Sequence, residues 1–179
     1  LFYLYDNVLY AGLPSSSLAP LQRVMNAAAR FVANIGPRDH ITDVMYQLHW
    51  LPIGQRITYK LCTVMHSAAY NITPDYITDI LLPVSDVTGR SHLRSASNGD
   101  YVIPRTRTSV GSRAFSVAGP TAWNNLPQSL RDIESTDTFK NILEHVHFDR
   151  TMIFWRKMPR PGFKKHLKTF LFRSYYDVL

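Results

Sequence analysis

Cysteine is nearly absent from this sequence, since Cys62 is the single one among 179 residues. One thiol cannot close an internal disulfide, and it cannot supply a zinc site built from cysteines. The chain also has no run approaching the ~20 apolar residues that would span a bilayer. Residues 1–12 lack the basic start of a signal peptide. We therefore expect a protein that is not secreted and has no membrane partner.

The residue patterns that carry common enzyme chemistry are missing as well. No two acidic residues are adjacent in the chain, so the paired carboxylates that hold two metal ions for phosphoryl transfer are absent. The sequence has no Gly-x-Ser-x-Gly, Walker A or Gly-x-Gly-x-x-Gly motif. His145 and His147 would diverge by about 200° on a helix, which favours a surface pair over a metal site. We expect no catalytic residue, no metal site, no cofactor and no small-molecule substrate.

Positive charge is in excess, and it is concentrated in two blocks. The formal net charge is +7. Residues 88–113 contain five arginines against one acid, Asp100, and residues 150–173 contain eight lysines and arginines with no acid. Such blocks favour an acidic partner, above all the backbone of RNA or DNA. The alternative is that each block is only a solvated, solubilising face.

Helical spacing of apolar residues dominates the first part of the chain, and hydrophobic residues make up 45% of the whole. The pattern predicts one helix that Ser17 caps and Gly36-Pro37 ends, and a second over 41–48 with Asp39 as its cap. A third helix is predicted over 53–68, and a short fourth from Pro74 to Leu81 or Leu82. We expect residues 1–82 to form a helical bundle.

Composition changes at Pro83, and residues 83–127 are rich in Ser, Thr, Gly, Pro and Arg. The strand-like runs 101–103 and 114–117, with Gly111 between them, predict a small irregular β-hairpin. Helical pattern returns over 128–179 and ends in a basic amphipathic helix. The predicted fold class is mainly α. The residues expected to form the structural core are Trp50, Leu61, Phe115, Trp123 and Leu126.

The candidate nucleic-acid-binding residues belong to the two basic blocks. They are Arg105, Arg107, Arg113, Arg156, Lys157, Lys164, Lys165 and Lys168. On a strand, Arg105 and Arg107 would share one face at a spacing of ~6.6–6.8 Å. That spacing is close to the step between adjacent phosphates, whereas the alternative is a charged edge strand that discourages aggregation.

An ordered series of short motifs runs through most of the chain. Its main members are Leu21-Gln22-Arg23-Val24, Leu48-His49-Trp50-Leu51-Pro52-Ile53, Pro74-Asp75-Tyr76-Ile77, Leu93-Arg94-Ser95, Pro104-Arg105-Thr106-Arg107, Ala114-Phe115-Ser116-Val117-Ala118-Gly119-Pro120 and Trp123-Asn124-Asn125-Leu126-Pro127. The series resembles the C-terminal region of LINE-type (non-LTR) retrotransposon reverse transcriptases of the jockey and chicken-repeat kind. The order and spacing, rather than any single motif, carry this resemblance.

The resemblance implies a thumb and post-thumb segment downstream of the polymerase palm. Such a segment would help to hold template RNA and primer without catalysing polymerisation, with the upstream palm as a further partner. A nuclear or cytoplasmic location is implied in the same way. Because the chain begins at Leu1 rather than Met, we expect it to be a piece of a longer polypeptide. The alternatives are a helical protein-interaction module and a degenerate element without activity.

The sequence departs from the family pattern near its end. Phe139-Lys140 and Phe163-Lys164 both resemble one junction of the family pattern, so that junction occurs twice in this chain. We therefore expect residues 141–164 to be an inserted or read-through segment. Continuous coding of this stretch in related genomic copies would contradict that interpretation.

Overall fold

The computed structural model describes residues 9–89 and 98–155, and their side chains as far as His147. Residues 1–148 belong to one compact unit, and residues 149–179 belong to a second. In the second unit the described residues, 149–155, have a helical backbone. The predicted basic helix near the end of the chain lies outside the described residues.

The described part of the chain is mainly α-helical, as predicted from the spacing of its apolar residues. The helices are α1 (Ser15–Ala33), α2 (Ile41–Gln47), α3 (Ile53–Ala69), α4 (Asp75–Thr78), α5 (Phe115–Asn124), α6 (Gln128–Arg131) and α7 (Thr136–Trp155). Short 3-10 turns at Val84–Asp86 and Gly111–Arg113 connect some of them.

The first three helices end in the same way, through a residue with left-handed backbone. Asn34, His49 and Asn71 have φ values of 51°, 53° and 55°. In each case the next amide donates to a carbonyl five residues back, and for Ile35 to Arg30 the distance is 3.1 Å. This arrangement satisfies carbonyls that a helix end leaves without a partner. It ends α1 before the predicted Gly36-Pro37 stop.

Two predicted helix caps are wrong. Helix α1 already begins at Ser15 after the extended Pro14, so Ser17 lies inside its first turn. Asp39 does not cap α2, which follows the extended His40. The Asp39 carboxylate instead accepts a hydrogen bond from the Gly36 amide at 2.7 Å and closes the turn between the two helices.

The predicted β-hairpin is not formed. Within the described residues the pairing is limited to one isolated antiparallel bridge between Pro83 and Tyr101. Phe115–Asn124, which includes most of the second strand-like run, is helix α5. A short apolar run fits a strand or a buried helix equally well, and here packing against α3 selects the helix.

Helix α5 crosses α3 in close contact, and Gly119 allows that approach. A Cβ added at Gly119 would lie 2.8 Å from Sδ of Met65 and 3.0 Å from Cε2 of Phe115. A Cβ essentially never lies 2.8 Å from another heavy atom, so a larger residue at this position would force the Met65 side chain of α3 or the Phe115 side chain of α5 to move. The crossing supports the main core cluster.

The core of the compact unit draws on all three segments distinguished by composition. Its main cluster consists of Cys62, Met65, Ala68, Leu81, Trp123, Leu126, Leu130, Phe139 and Leu143. Among the expected core residues, Leu61, Trp123 and Leu126 are buried. Phe115 and Trp50 are half-buried and pack against the buried clusters.

The suspected insertion begins inside α7. The helix continues past Asn141 without a break to Trp155. Leu143, two residues into the suspected insertion, is fully buried in the main cluster. This part of the segment therefore contributes to the core of the compact unit.

A buried histidine lies at the centre of this core. The Nε2 atom of His66 is 2.7 Å from the carbonyl oxygen of Ile133, so Nε2 carries the proton and donates. Its ring stacks on Phe139 with centroids 4.1 Å apart. The Nδ1 atom is buried and has no hydrogen-bond partner among the described residues. A proton on Nδ1 would therefore introduce a buried charge and an unsatisfied N–H.

Burial lowers the pKa of His66, the hydrogen bond to Ile133 opposes this, and the Lys140 charge lowers it further. The unfolded chain, with an ordinary histidine pKa of ~6.5, then binds the proton more readily than the folded chain. The contribution of neutral His66 to stability is present above pH ~6.5. It is lost as the pH falls from there toward the folded pKa, by up to about 1.4 kcal/mol per pH unit.

We predict that His66→Gln reduces this acid sensitivity, because it removes the titrating ring. Urea unfolding of both proteins across the range from about pH 7.5 to about pH 5 measures the effect. The variant should be less stable than the parent at neutral pH and should lose less stability on acidification. Parallel pH profiles for the two proteins would contradict the assignment to His66.

Candidate nucleic-acid interface

An exposed loop carries two of the predicted binding residues. Every residue from Ile103 to Val110 is exposed, and we call this segment the arginine loop. Arg105 and Arg107 lie near its middle, in irregular backbone rather than on the predicted strand. The shared strand face therefore does not exist. Contacts at each end of the loop, which we call its first and second anchors, hold the segment that carries both guanidinium groups.

The first anchor holds the backbone of Tyr101. The Asn124 side chain accepts a hydrogen bond from the Tyr101 amide at 3.0 Å and donates one to its carbonyl at 2.8 Å. The next amide, that of Val102, donates to the carbonyl of Leu82 at 2.8 Å. Burial raises the pKa of the Tyr101 hydroxyl, and the Asp86 carboxylate raises it further. The chain therefore leaves the core at a fixed point just before the arginine loop.

A largely buried ion pair supports the same anchor. The Arg131 guanidinium contacts the Asp100 carboxylate, and the side chains are 7% and 19% exposed. The Arg131 carbonyl also accepts a hydrogen bond from the Tyr70 hydroxyl at 3.1 Å. The indole of Trp123 donates to the carbonyl of Gly99 at 3.1 Å. The ion pair thus joins the segment just before the arginine loop to α6.

The second anchor lies where the loop enters α5. The Thr108 hydroxyl accepts from the Gly111 amide at 3.0 Å, and the Thr108 carbonyl accepts from the Ser112 amide at 3.2 Å. The half-buried Arg113 side chain follows at once. Its aliphatic part lies so close to Gly12 that a Cβ there would be 3.1 Å from Cγ of Arg113. Gly12 also has a φ of +68°, which favours glycine.

Every charged residue from 101 to 131, the stretch that contains the arginine loop, is an arginine. The sequence has no acidic residue from 101 to 131. Arg131 is paired with Asp100, whereas the salt bridges found within the described ranges include none to Arg105, Arg107 or Arg113. The Nε atom of Arg113 is buried without a hydrogen-bond partner in the described part of the chain. The exposed Arg105 and Arg107 therefore present cationic donors to an anion, whereas the half-buried Arg113 keeps its Nε inside the protein.

The remaining predicted binding residues lie outside the described residues. These are Arg156, Lys157, Lys164, Lys165 and Lys168. Sequence reasoning missed the residues that position the loop, above all Asp100, Asn124 and Arg131. Asp100 did stand out as the single acid of the first basic block, but its partner lies 31 residues away.

The described residues also bear on two further features, a metal-binding cluster and a membrane-spanning helix. Within residues 9–89 and 98–147 there is no group of three or more His, Cys, Asp or Glu side chains that could hold a metal ion. Over the same part of the chain, none of the helices combines the length and apolar character needed to cross a membrane.

The chain was compared with family models, curated proteins and solved structures, and none of them matches it.

We predict that Asp100→Asn lowers the free energy of unfolding by about 2–3 kcal/mol. The substitution keeps the shape of the side chain but leaves the Arg131 charge buried without a counter-charge. Urea unfolding at neutral pH and moderate salt measures the difference.

Asp137→Asn is the matched control. Asp137 faces Lys140 at 3.9 Å, but its side chain is 94% exposed. An exposed pair of this kind contributes little, and a carboxylate in the first turn of a helix contributes at most about 1 kcal/mol, so the control should lose clearly less stability than Asp100→Asn. Equal stability of all three proteins would show that the buried ion pair does not hold the loop to the core.

Proposed function

We propose that this chain is a non-catalytic, nucleic-acid-binding segment of a LINE-type reverse transcriptase. The observation that carries the proposal is the arginine loop, an exposed cationic segment anchored at both ends in a stretch without acidic residues. Its role is to support the hold on template and primer. The RNA-directed DNA polymerase reaction belongs to the upstream palm, since this chain lacks the paired carboxylates that the reaction needs.

Arg105 and Arg107 are suited to phosphate contacts rather than to reading bases. Their Cα atoms are two residues apart and hence no more than about 7 Å from each other. Each guanidinium can bind a phosphate through two parallel hydrogen bonds. Contacts of this kind position a protein on the backbone and carry no sequence information. Binding should therefore depend steeply on salt and only weakly on sequence.

The second basic block extends the proposed contact. Residues 150–173 contain eight cations and no acid. Arg156, Lys157, Lys164, Lys165 and Lys168 are its proposed phosphate-binding members. The ordered motifs that resemble the reverse transcriptase C-terminal region support this proposal for the chain as a whole.

We predict that the full chain binds an RNA–DNA hybrid with an affinity that falls linearly with salt on a log–log plot. Replacing both Arg105 and Arg107 by Ala should weaken binding equally for unrelated hybrid sequences. It should also reduce the magnitude of the salt slope by about 2, because about one counterion is released for each phosphate contact. Fluorescence anisotropy across a salt series, with circular dichroism on the same samples, measures both effects.

Arg38→Ala is the matched control, because Arg38 is an exposed arginine in the turn between α1 and α2. It should leave the slope unchanged. A folded parent chain that does not bind the hybrid would refute the proposed function. A slope that is unchanged in the Arg105/Arg107 variant but reduced by Ala at Lys164, Lys165 and Lys168 would move the contact to the second block.

A further inference from the structure

Helix α1 has an apolar face that points away from the core. Leu21, Val24, Phe31 and Val32 are 38%, 70%, 89% and 57% exposed. Ala27 and Ala28 between them are also exposed. At 100° per residue these side chains lie on one side of the helix, and we call them the outer face of α1.

The outer face is not needed for the internal packing of α1. Met25 and Ala29, about 100° around the helix from the centre of the outer face, are buried in one cluster with Val44 and Met45 of α2. A surface helix with one buried side ordinarily presents polar residues on the other. A contiguous exposed apolar surface on a folded protein marks an interaction site. Phe31 is the clearest member, because nearly its whole ring is open to solvent in the described structure.

Positive charge borders the outer face on one side. Arg23 and Arg30 are seven residues apart and therefore lie about 20° from each other around the helix. Helix α1 contains no acidic residue. The Nε atom of Arg30 is buried and has no hydrogen-bond partner among the described residues. Within the described ranges, the hydrogen bond found for the Arg23 side chain is a long one, 3.4 Å from its Nε to the carbonyl of Ala19.

We propose that the outer face of α1 binds an amphipathic helix of another protein. This partner helix has acidic residues along one edge of its apolar face. From Leu21 to Val32 the face is about 16 Å long, or three helical turns. A partner helix with apolar residues at i, i+3, i+4, i+7 and i+11 matches this length. Carboxylates seven residues apart on the partner would face Arg23 and Arg30. This interface is separate from the phosphate contacts of the arginine loop and does not depend on them.

Charge disfavours a second copy of the chain as the occupant. In an antiparallel two-fold pair, each border of a helix meets the same border of its partner. Arg23 and Arg30 of one chain would then lie beside Arg30 and Arg23 of the other, with no acid on either helix. Such like-charge contacts oppose association, whereas an acidic border replaces them with attraction.

The test uses the full chain and two synthetic amphipathic peptides of about three heptads, each with leucine on its apolar face. One carries glutamates at seven-residue intervals along its border, and the other carries lysines at the same positions. Isothermal titration calorimetry should show binding of the glutamate peptide at least ~10-fold tighter than that of the lysine peptide. Arg23→Glu should remove that preference, because Arg30 remains, and Arg23→Glu combined with Arg30→Glu should reverse it.

Val24→Glu and Phe31→Glu should each weaken binding of the glutamate peptide by ~10-fold or more, because each places a charge in the apolar contact. Both side chains are exposed, so these variants should keep the parent's helical content by circular dichroism. Ile72→Glu is the control, since Ile72 is also exposed, at 62%, but lies beyond the end of α3. It should leave binding unchanged.

Four outcomes would overturn the proposal. The first is failure of the glutamate peptide to bind, and the second is equal binding of both peptides. The third is concentration-dependent dimerisation that Val24→Glu abolishes, which would make a second copy the occupant. The fourth is peptide binding only after removal of residues 1–8, which would show that the chain covers the face itself.

Discussion

The ion pair between Asp100 and Arg131 is the constraint on which the candidate interface depends. It is largely buried, and it connects the segment just before the arginine loop to α6. The same short stretch is bound by Asn124 and by the Trp123 indole, both from α5. Helix α5 can provide these contacts because Gly119 lets it approach α3 closely. The helical core and the exposed loop are therefore connected by a continuous set of packed and hydrogen-bonded groups.

Two chemically different surfaces follow from this architecture. The arginine loop presents cationic donors, and the sequence around it has no acid from 101 to 131. The outer face of α1 presents apolar side chains bordered by Arg23 and Arg30. Phosphate groups match the first surface because guanidinium groups bind them through paired hydrogen bonds. They do not match the second, whose central side chains have no polar groups and are suited to another apolar surface.

The spacing of apolar residues along the sequence predicted the helices well, but it predicted the long-range contacts poorly. Helix α3 was expected over 53–68 and spans Ile53–Ala69, because its apolar residues keep helical spacing throughout. The hairpin was predicted wrongly, since the run at 114–117 becomes helical by packing against α3. The left-handed residues that end α1, α2 and α3 are Asn or His rather than glycine, so no glycine signal marked them. Arg105 and Arg107 could be selected from charge alone, but Asp100, Asn124 and Arg131 act through partners 23 or 31 residues away.

The central claim is that a loop anchored to the helical core meets nucleic acid through its arginines. Hydrogen–deuterium exchange of the full chain, with and without an RNA–DNA hybrid at low salt, tests it most directly because it locates the contact along the sequence. The account predicts that the hybrid slows exchange at residues 103–113, and that high salt removes this protection. Unchanged exchange at 103–113, with protection confined to other parts of a folded chain, would contradict it.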